Sequence, residues 1–572
     1  MAESRDAKED LHMQEDDALS DSGFRISGTI VVGIDIGTSA SGIAYARFNA
    51  GDPTTPRCYI HTANLHGASG SRVDTKILAD SHSEHYNSCF LEWFKMSLLR
   101  DVDLPSDVHR SSMFTELTNF RKPFGVSAKA ATAKYLSLLW SDFQESLKCS
   151  VYDFEYKLVV TVPTGWPLYA CQTMLEAIHE AGILSDKVTL ANSIPDIEAA
   201  SIALISDLSR PRDGMPPILK HDDLVVICDC GGFTTESTAY MISLTQPFNM
   251  RQITIGECIF AGGDLIDNAF MTILKAKMEK SCPSFKFGLL TGQRLRDFAH
   301  HHWKKDMKCN FRGDRRGWTF DVPDQYGNGT GQTISFTAFG LALVFDPIVD
   351  KIVNLVRSQI EAITKRFGNL RRDELHVIIA GGFGRSPYVQ TRIKQAVLEL
   401  APSTSIHCPS GDQGCTAVAR GAVLQGLRGS MSASLGNLMN SSYVTSRVIH
   451  ANYGVSLNHG MDVNWLVTRG TELSAASRNV RPLPLDSISA TTDNRSNTVN
   501  VYFQSRDDVR GEHLCTIIWP SAGPKRDIEL GFDWDGSHME VSAFHRGREL
   551  VGVTIQYDSY VGSLIRHASL CL

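Results

Sequence analysis

Val31-Val32-Gly33-Ile34-Asp35-Ile36-Gly37-Thr38-Ser39-Ala40-Ser41-Gly42 is the stretch that decides how this chain is read. An apolar run ends in an aspartate, turns on a glycine beside hydroxyl residues, and passes into a second strand, Ile43-Ala44-Tyr45-Ala46-Arg47-Phe48. The pattern recurs at Leu224-Val225-Val226-Ile227-Cys228-Asp229-Cys230-Gly231-Gly232-Phe233-Thr234-Thr235-Glu236, followed by Ser237 to Ile242. Each reads as a β-hairpin whose tip offers backbone N–H groups to an anion and a carboxylate to a metal. A glycine tip has no Cβ to keep phosphate oxygens away from the backbone. Two such tips facing each other would clamp a polyphosphate and its Mg²⁺. Taken singly, either is equally an ordinary β-turn whose aspartate ends a strand. Neither is a Gly-rich loop ending in Gly-Lys-Ser/Thr, nor a GxGxxG at a strand-to-helix turn.

A third element shifts the balance. Val377-Ile378-Ile379-Ala380-Gly381-Gly382-Phe383-Gly384-Arg385-Ser386-Pro387-Tyr388 is a buried strand, a double glycine, an arginine and a helix start, where proline suits the first turn. Glycines there let a flat ring lie on the backbone, and a guanidinium can stack on a base. Phosphate hairpin, phosphate hairpin, then Gly-Gly purine turn is an order that resembles the actin, hexokinase and heat-shock-70 ATPase superfamily.

Composition sets the bounds. With 572 residues, several domains are expected. Hydrophobic residues at 42% and charged residues at 21% are ordinary for a globular chain. A net charge of −7 argues against nucleic acid or an anionic membrane as main partner. No apolar run is long enough to span a bilayer. Met1 to Asp21 is charged and poor in aliphatics, which reads as a disordered tail rather than a secretory signal. The 13 cysteines form no CxxC pair, so the expectation is buried thiols in a reducing compartment, cytosol or nucleus. His300-His301-His302 reads as a solvated helix surface rather than a metal site, since adjacent helical positions do not share a face.

Along the chain, Ser88–Arg100 has helical apolar spacing with Lys95 inside it, and Ser127–Lys148 is an amphipathic helix. Leu158–Pro163 is a buried strand. Helices follow from Pro167 to Gly182 and from Ile194 onward, and Ser206–Asp222 is a polar connection. Helical patterns continue after Gly262-Gly263-Asp264, over Arg294–Lys308, over Phe345–Arg366 and from Thr416 to Gln425. Gly429–Ser442 reads as a linker. Short alternating strands come after it: Ser446–His450, Val501–Gln504, Cys515–Trp519, Met539–Phe544 and Leu550–Gln556. The alternation reads as an α/β fold with a duplicated core and a small mainly-β domain after it, and the superfamily resemblance implies that the α/β part is an actin-like, ribonuclease H-like two-lobed domain. The expected boundaries are a tail over 1–27 and an ATPase domain over 28–428. Within that domain, lobe I is about 28–221, lobe II about 222–380, and 381–428 returns to close it. A linker over 429–442 and a β-rich, lidless substrate-binding-like domain over 443–572 complete the chain.

Further segments resemble the heat-shock-70 chaperones, and most of all their divergent branch typified by heat-shock protein family A member 12. Val160-Thr161-Val162-Pro163 and its following helix, Asp196-Ile197-Glu198-Ala199-Ala200, and Ala417-Val418-Ala419-Arg420-Gly421-Ala422 are similar to family segments. The resemblance covers about residues 28–428 well and the tail loosely. It implies that Asp35 holds Mg²⁺ through water, that Gly37, Thr38 and Ser39 bind β- and γ-phosphates, and that Asp229, Gly231, Gly232 and Thr234 form the second clamp, with Asp229 also toward the metal. It implies that Lys95 orients the attacking water and Asp196 is the second water-holding carboxylate. Gly381, Gly382 and Arg385 would flank adenine, and Lys304 or Lys305 the ribose. The chain departs from the family at Phe233, which replaces a glycine and is expected to crowd the γ-phosphate or force a shifted turn, and at Thr235-Glu236. The expectation is therefore weak Mg-dependent ATP hydrolysis coupled to extended or unfolded protein segments. The alternatives are a nucleotide-gated scaffold without turnover and a small-molecule kinase of the same superfamily.

Overall fold

The computed structural model describes residues 27–48, 59–61, 73–74, 90–91, 94–109, 114, 126–147, 153–211, 216–245, 248–281, 300–321, 333–368, 374–434, 442–456, 462–475, 479–491, 494–505, 510–536 and 539–557. The N-terminal tail expected over 1–27 lies outside these residues except for Ser27. The chain is a mixed α/β structure with several sheets, consistent with an actin-like ATPase fold.

Two sheets repeat one plan. In the first, Tyr59–His61, Gly42–Phe48, Ser27–Asp35, Asp153–Val162 and Val188–Pro195 lie side by side in that order. The first three are antiparallel, and the last two run parallel to Ser27–Asp35 and to each other. In the second, Phe248–Gln252, Thr235–Thr245, Leu224–Cys230, Leu375–Ala380 and Ser405–His407 follow the same pattern. The central strands are apolar throughout because both of their faces are covered, as parallel strands require. Val31, Val32 and Ile34 are buried, as are Leu224 to Ile227.

The helix Ala417–Ser434 packs against the first sheet and the helix Asp196–Leu208. Small residues make that approach feasible. A Cβ on Gly33 would lie 2.4 Å from the Ala419 carbonyl, and one on Gly421 would lie 1.7 Å from the Ala199 carbonyl. One apolar core, including Val159, Ile197, Val225, Ile227 and Val418, draws on both sheets and on this helix.

Two readings need correction. Gly429–Ser442 is not a linker throughout: the helix runs through Ser434, and Arg428 is buried, donating to the Phe248 carbonyl at 2.7 Å and Asn249 Oδ1 at 2.6 Å. Packing there overrides the poor helix propensity of Gly and Ser. Tyr443 to Thr445 then lie along the edge of the second sheet, exchanging backbone hydrogen bonds with Met250 at 2.9 Å. Ser88–Arg100 is not a regular helix either. Phe90–Leu91 is a short strand and Phe94–Leu98 a single 3₁₀ segment.

From Ser446 to Tyr557 the described residues are rich in β-strands. Ser496–Gln504 and Glu512–Pro520 centre one sheet, Ile528–Trp534 and Met539–His545 the other, and both share a core around Val499, Ile517, Trp519, Leu530 and Phe532. The last strand among the described residues is Thr554–Tyr557 rather than Leu550–Gln556. Among the described residues no helix is long and apolar enough to cross a membrane.

Candidate functional site

Each hairpin tip is tight for a local reason. A Cβ on Gly37 would lie 1.9 Å from the Ala40 carbonyl, so only glycine fits the first turn. In the second, the Gly231 N–H donates to the Thr234 carbonyl at 2.9 Å. The two tips touch: a Cβ on Gly232 would fall 1.5 Å from Ser39 Oγ. Ser39 Oγ donates to Asp264 Oδ2 at 2.7 Å, near the start of the helix Gly263–Ser281, whose first backbone N–H groups bond the Gly231 and Gly232 carbonyls. The third turn closes over the same point. Gly381 has φ +81°, and a Cβ there would meet the Cys230 carbonyl at 2.2 Å and Asp229 Oδ1 at 2.4 Å. Gly382, next to it, faces open space.

Asp35 ends its strand opposite Gly42, and Asp229 stands one residue before the end of its strand, opposite Glu236. Lys95, buried in the 3₁₀ segment, places Nζ 3.5 Å from Asp196 Oδ2 and 5.6 Å from the Trp166 ring centre. Asp196 opens the helix Asp196–Leu208, and its Oδ1 is buried with no hydrogen-bond partner among the described residues. Glu236 is buried and accepts the Thr164 N–H at 3.3 Å.

These groups share one electrostatic field. Burial, then the neighbouring Asp196 and Asp229, pushes the Asp35 carboxyl up to about 8, against the pull of Lys95. Burial and Asp196 push Asp229 up to about 7, and Glu236 lies well above its ordinary value for the same reasons, burial first. Four carboxylates around one lysine make a site short of positive charge. Among the described residues no three His, Cys, Asp or Glu side chains gather to hold a metal by themselves. Asp35 and Asp229 are hard oxygen donors of the type Mg²⁺ takes, one or two carboxylates completed by water and phosphate oxygens. The nearby Cys171 thiol is pushed up to about 12, chiefly by burial, and so is a poor nucleophile.

The structure thus gathers Asp35, Lys95, Asp196 and Asp229, with Gly37, Thr38, Ser39, Gly231, Gly232 and Thr234 at the tips and Gly381 and Gly382 across from them. Arg385 is exposed and pairs with Asp412 at 3.3 Å beside Cys415. Lys304 pairs with Asp267 at 3.5 Å, while the Lys305 side chain lies outside the described residues. Sequence reading passed over Lys308, which holds Asp267 at 2.7 Å and donates to the Gly263 carbonyl at 2.8 Å. Its spacing of four from Lys304 on one helical segment was the available signal. Glu236 was noted only as a departure, and its pairing opposite Asp229 in the hairpin marks its place. Phe233 does not crowd the tips. It is only 3% exposed and packs edge-on to Phe260 in the first sheet's core.

No family model matches the chain. The chain is similar to a mitochondrial-type heat shock protein 70 of Encephalitozoon hellem, 25% identical over 300 residues, which is 52% of this chain and 45% of that protein. The match therefore spans less than half the length of that relative. The likeness is distant, and it supports a heat-shock-70 relationship for the chain.

Proposed function

We propose that the chain is a divergent heat-shock-70-like protein, of the family A member 12 type, that binds Mg·ATP between two lobes over about 28–221 and 222–380, closed by 381–428. In this reading residues 443–572 form a lidless β domain that takes extended or unfolded protein segments, and the scattered thiols belong to a reducing compartment. One observation carries the proposal: three glycine turns far apart in sequence meet at one carboxylate cluster, with Ser39 against Gly232 and Gly381 against Asp229.

In this reading the backbone N–H groups of both tips and the Thr38 and Ser39 hydroxyls hold phosphate oxygens. Bound Mg²⁺ supplies charge neutralisation for the phosphates. Lys95 orients the attacking water, Asp196 accepts one of its protons in a hydrogen bond, and Gly382 leaves room for the base beside Arg385. Lys304 and Lys308 stand on the ribose side. In this reading hydrolysis is slow because four carboxylates around Lys95 leave the site little positive charge to stabilise the transition state. Steady-state ATP turnover by the full chain and by Lys95→Ala, with and without an unfolded peptide, tests it. The expected result is slow, Mg-dependent turnover that falls in the variant more than affinity does, as for a group acting in the transition state. Equal turnover in both proteins would remove Lys95 from the mechanism.

A further inference from the structure

The helix that begins with Asp196 is gripped at its first turn by residues distant in sequence. Glu198, two residues after Asp196, is buried and receives a two-pronged hydrogen bond from Arg447: Nε to Oε2 at 2.8 Å and Nη2 to Oε1 at 2.6 Å. Arg447 is itself buried, on the strand Ser446–Val448, and Nη2 also reaches Ser442 Oγ at 3.3 Å. The turn after Ile528–Trp534 presses on the same spot. Gly536 has φ +104°, and a Cβ there would meet Glu198 Oε2 and Pro195 Cδ, each at 3.1 Å. From the helix Ala417–Ser434, Gly421 abuts the Ala199 carbonyl.

A buried ion pair is a poor source of stability, because desolvation offsets its attraction and a well-packed apolar pair often serves as well. What it supplies is direction. The planar fork of an arginine fits a carboxylate in one orientation, and breaking it strands a buried charge. Here the direction fixed is that of the helical turn carrying Asp196, whose Oδ2 faces Lys95 at 3.5 Å.

We propose that Arg447 is a positioning residue: through Glu198 it holds Asp196 against Lys95 for hydrolysis, while ATP affinity stays with the glycine turns. This rests on the reading that Lys95 and Asp196 act on the hydrolytic water.

The test uses the full chain with three variants, Arg447→Met, Glu198→Met and the two combined. Single-turnover hydrolysis of pre-bound Mg·ATP and calorimetric ATP affinity are measured for each. Fluorine NMR of 5-fluorotryptophan-labelled protein, with the Trp166 resonance assigned by Trp166→Phe, reports the Lys95 environment without nucleotide, since that ring lies over Lys95. The expected result is hydrolysis slowed about tenfold or more in Arg447→Met, ATP affinity within about twofold, and a moved Trp166 resonance. The double variant, which leaves neither member of the Glu198–Arg447 pair as an unpaired buried charge and keeps the fold even if the single ones lose it, remains slow with the resonance moved. A double variant with wild-type rate and an unmoved Trp166 resonance would overturn the proposal. If the parent chain binds no ATP, the ATPase reading fails separately. The resonance still decides whether Arg447 controls the Lys95–Asp196 contact: unmoved in all three variants, it refutes that control.

Discussion

Replacing Asp35 with asparagine should stabilise the nucleotide-free, metal-free protein at neutral pH while removing its affinity for Mg·ATP. The folded Asp35 carboxyl lies at about 8 against an ordinary 3.8. The folded chain therefore keeps a proton that the unfolded chain releases. The associated stability is fully present below 3.8 and is lost as pH rises toward 8. At about 1.4 kcal/mol per pH unit, Asp35 costs the free protein about 4 kcal/mol at pH 7. Asp229, raised to about 7, adds a second released proton. Between pH 5 and pH 7 the unfolding free energy of Asp35→Asn should fall less steeply than that of the parent, by about one proton's worth, roughly 1.4 kcal/mol per pH unit. Urea unfolding at pH 5, 6, 7 and 8 with chelator present gives both slopes. Calorimetry with Mg·ATP gives the second half of the claim, a loss of measurable binding. A variant that is less stable than the parent at pH 7 and binds ATP equally well would refute the reasoning about this cluster.

Three further outcomes follow from the same geometry. Gly381→Ala, forced into a left-handed backbone against the Cys230 carbonyl, should lose about 1–3 kcal/mol and nucleotide binding together, whereas Gly382→Trp should fold normally and bind no ATP. Thermal unfolding and calorimetry separate the two, and ATP binding by a folded Gly382→Trp would place the base elsewhere. Phe233→Ala should cost about 3–5 kcal/mol in urea unfolding and bring no gain in hydrolysis rate, because the ring is core rather than obstruction; a faster variant of undiminished stability would restore the crowded-turn reading. A fluorescent apolar peptide titrated onto the full chain should bind weakly and exchange fast by strand addition to an open β edge, and the absence of saturable binding would leave the β-rich segment as a cap on the rest of the molecule.

Much of the site was legible in the chain because its signals are local. Val31 to Ile34 and Leu224 to Ile227 are apolar runs that must be buried on both faces, and the glycines after Asp35 and Asp229 mark turns that no side chain fits. What the sequence concealed depends on tertiary packing. The side on which Phe233 lands is decided by Phe260 and the surrounding core, not by its place in a glycine-rich turn. Gly429 and Ser430 read as linker by composition, yet the buried Arg428 holds that helix to Phe248 and Asn249. Glu198 and Arg447 lie 249 residues apart, and no periodicity joins them. Lys95 was visible as an apolar-flanked lysine, while its meeting with Asp196 needed the fold.

The central claim is that Mg·nucleotide binds where the three glycine turns meet. Calorimetric titration of ATP and ADP into the full chain, with and without Mg²⁺, tests it most directly. The account predicts saturable binding at one site per chain, strengthened by Mg²⁺ and absent in Gly382→Trp. No binding by the folded parent protein, or equal binding by that variant, would contradict it.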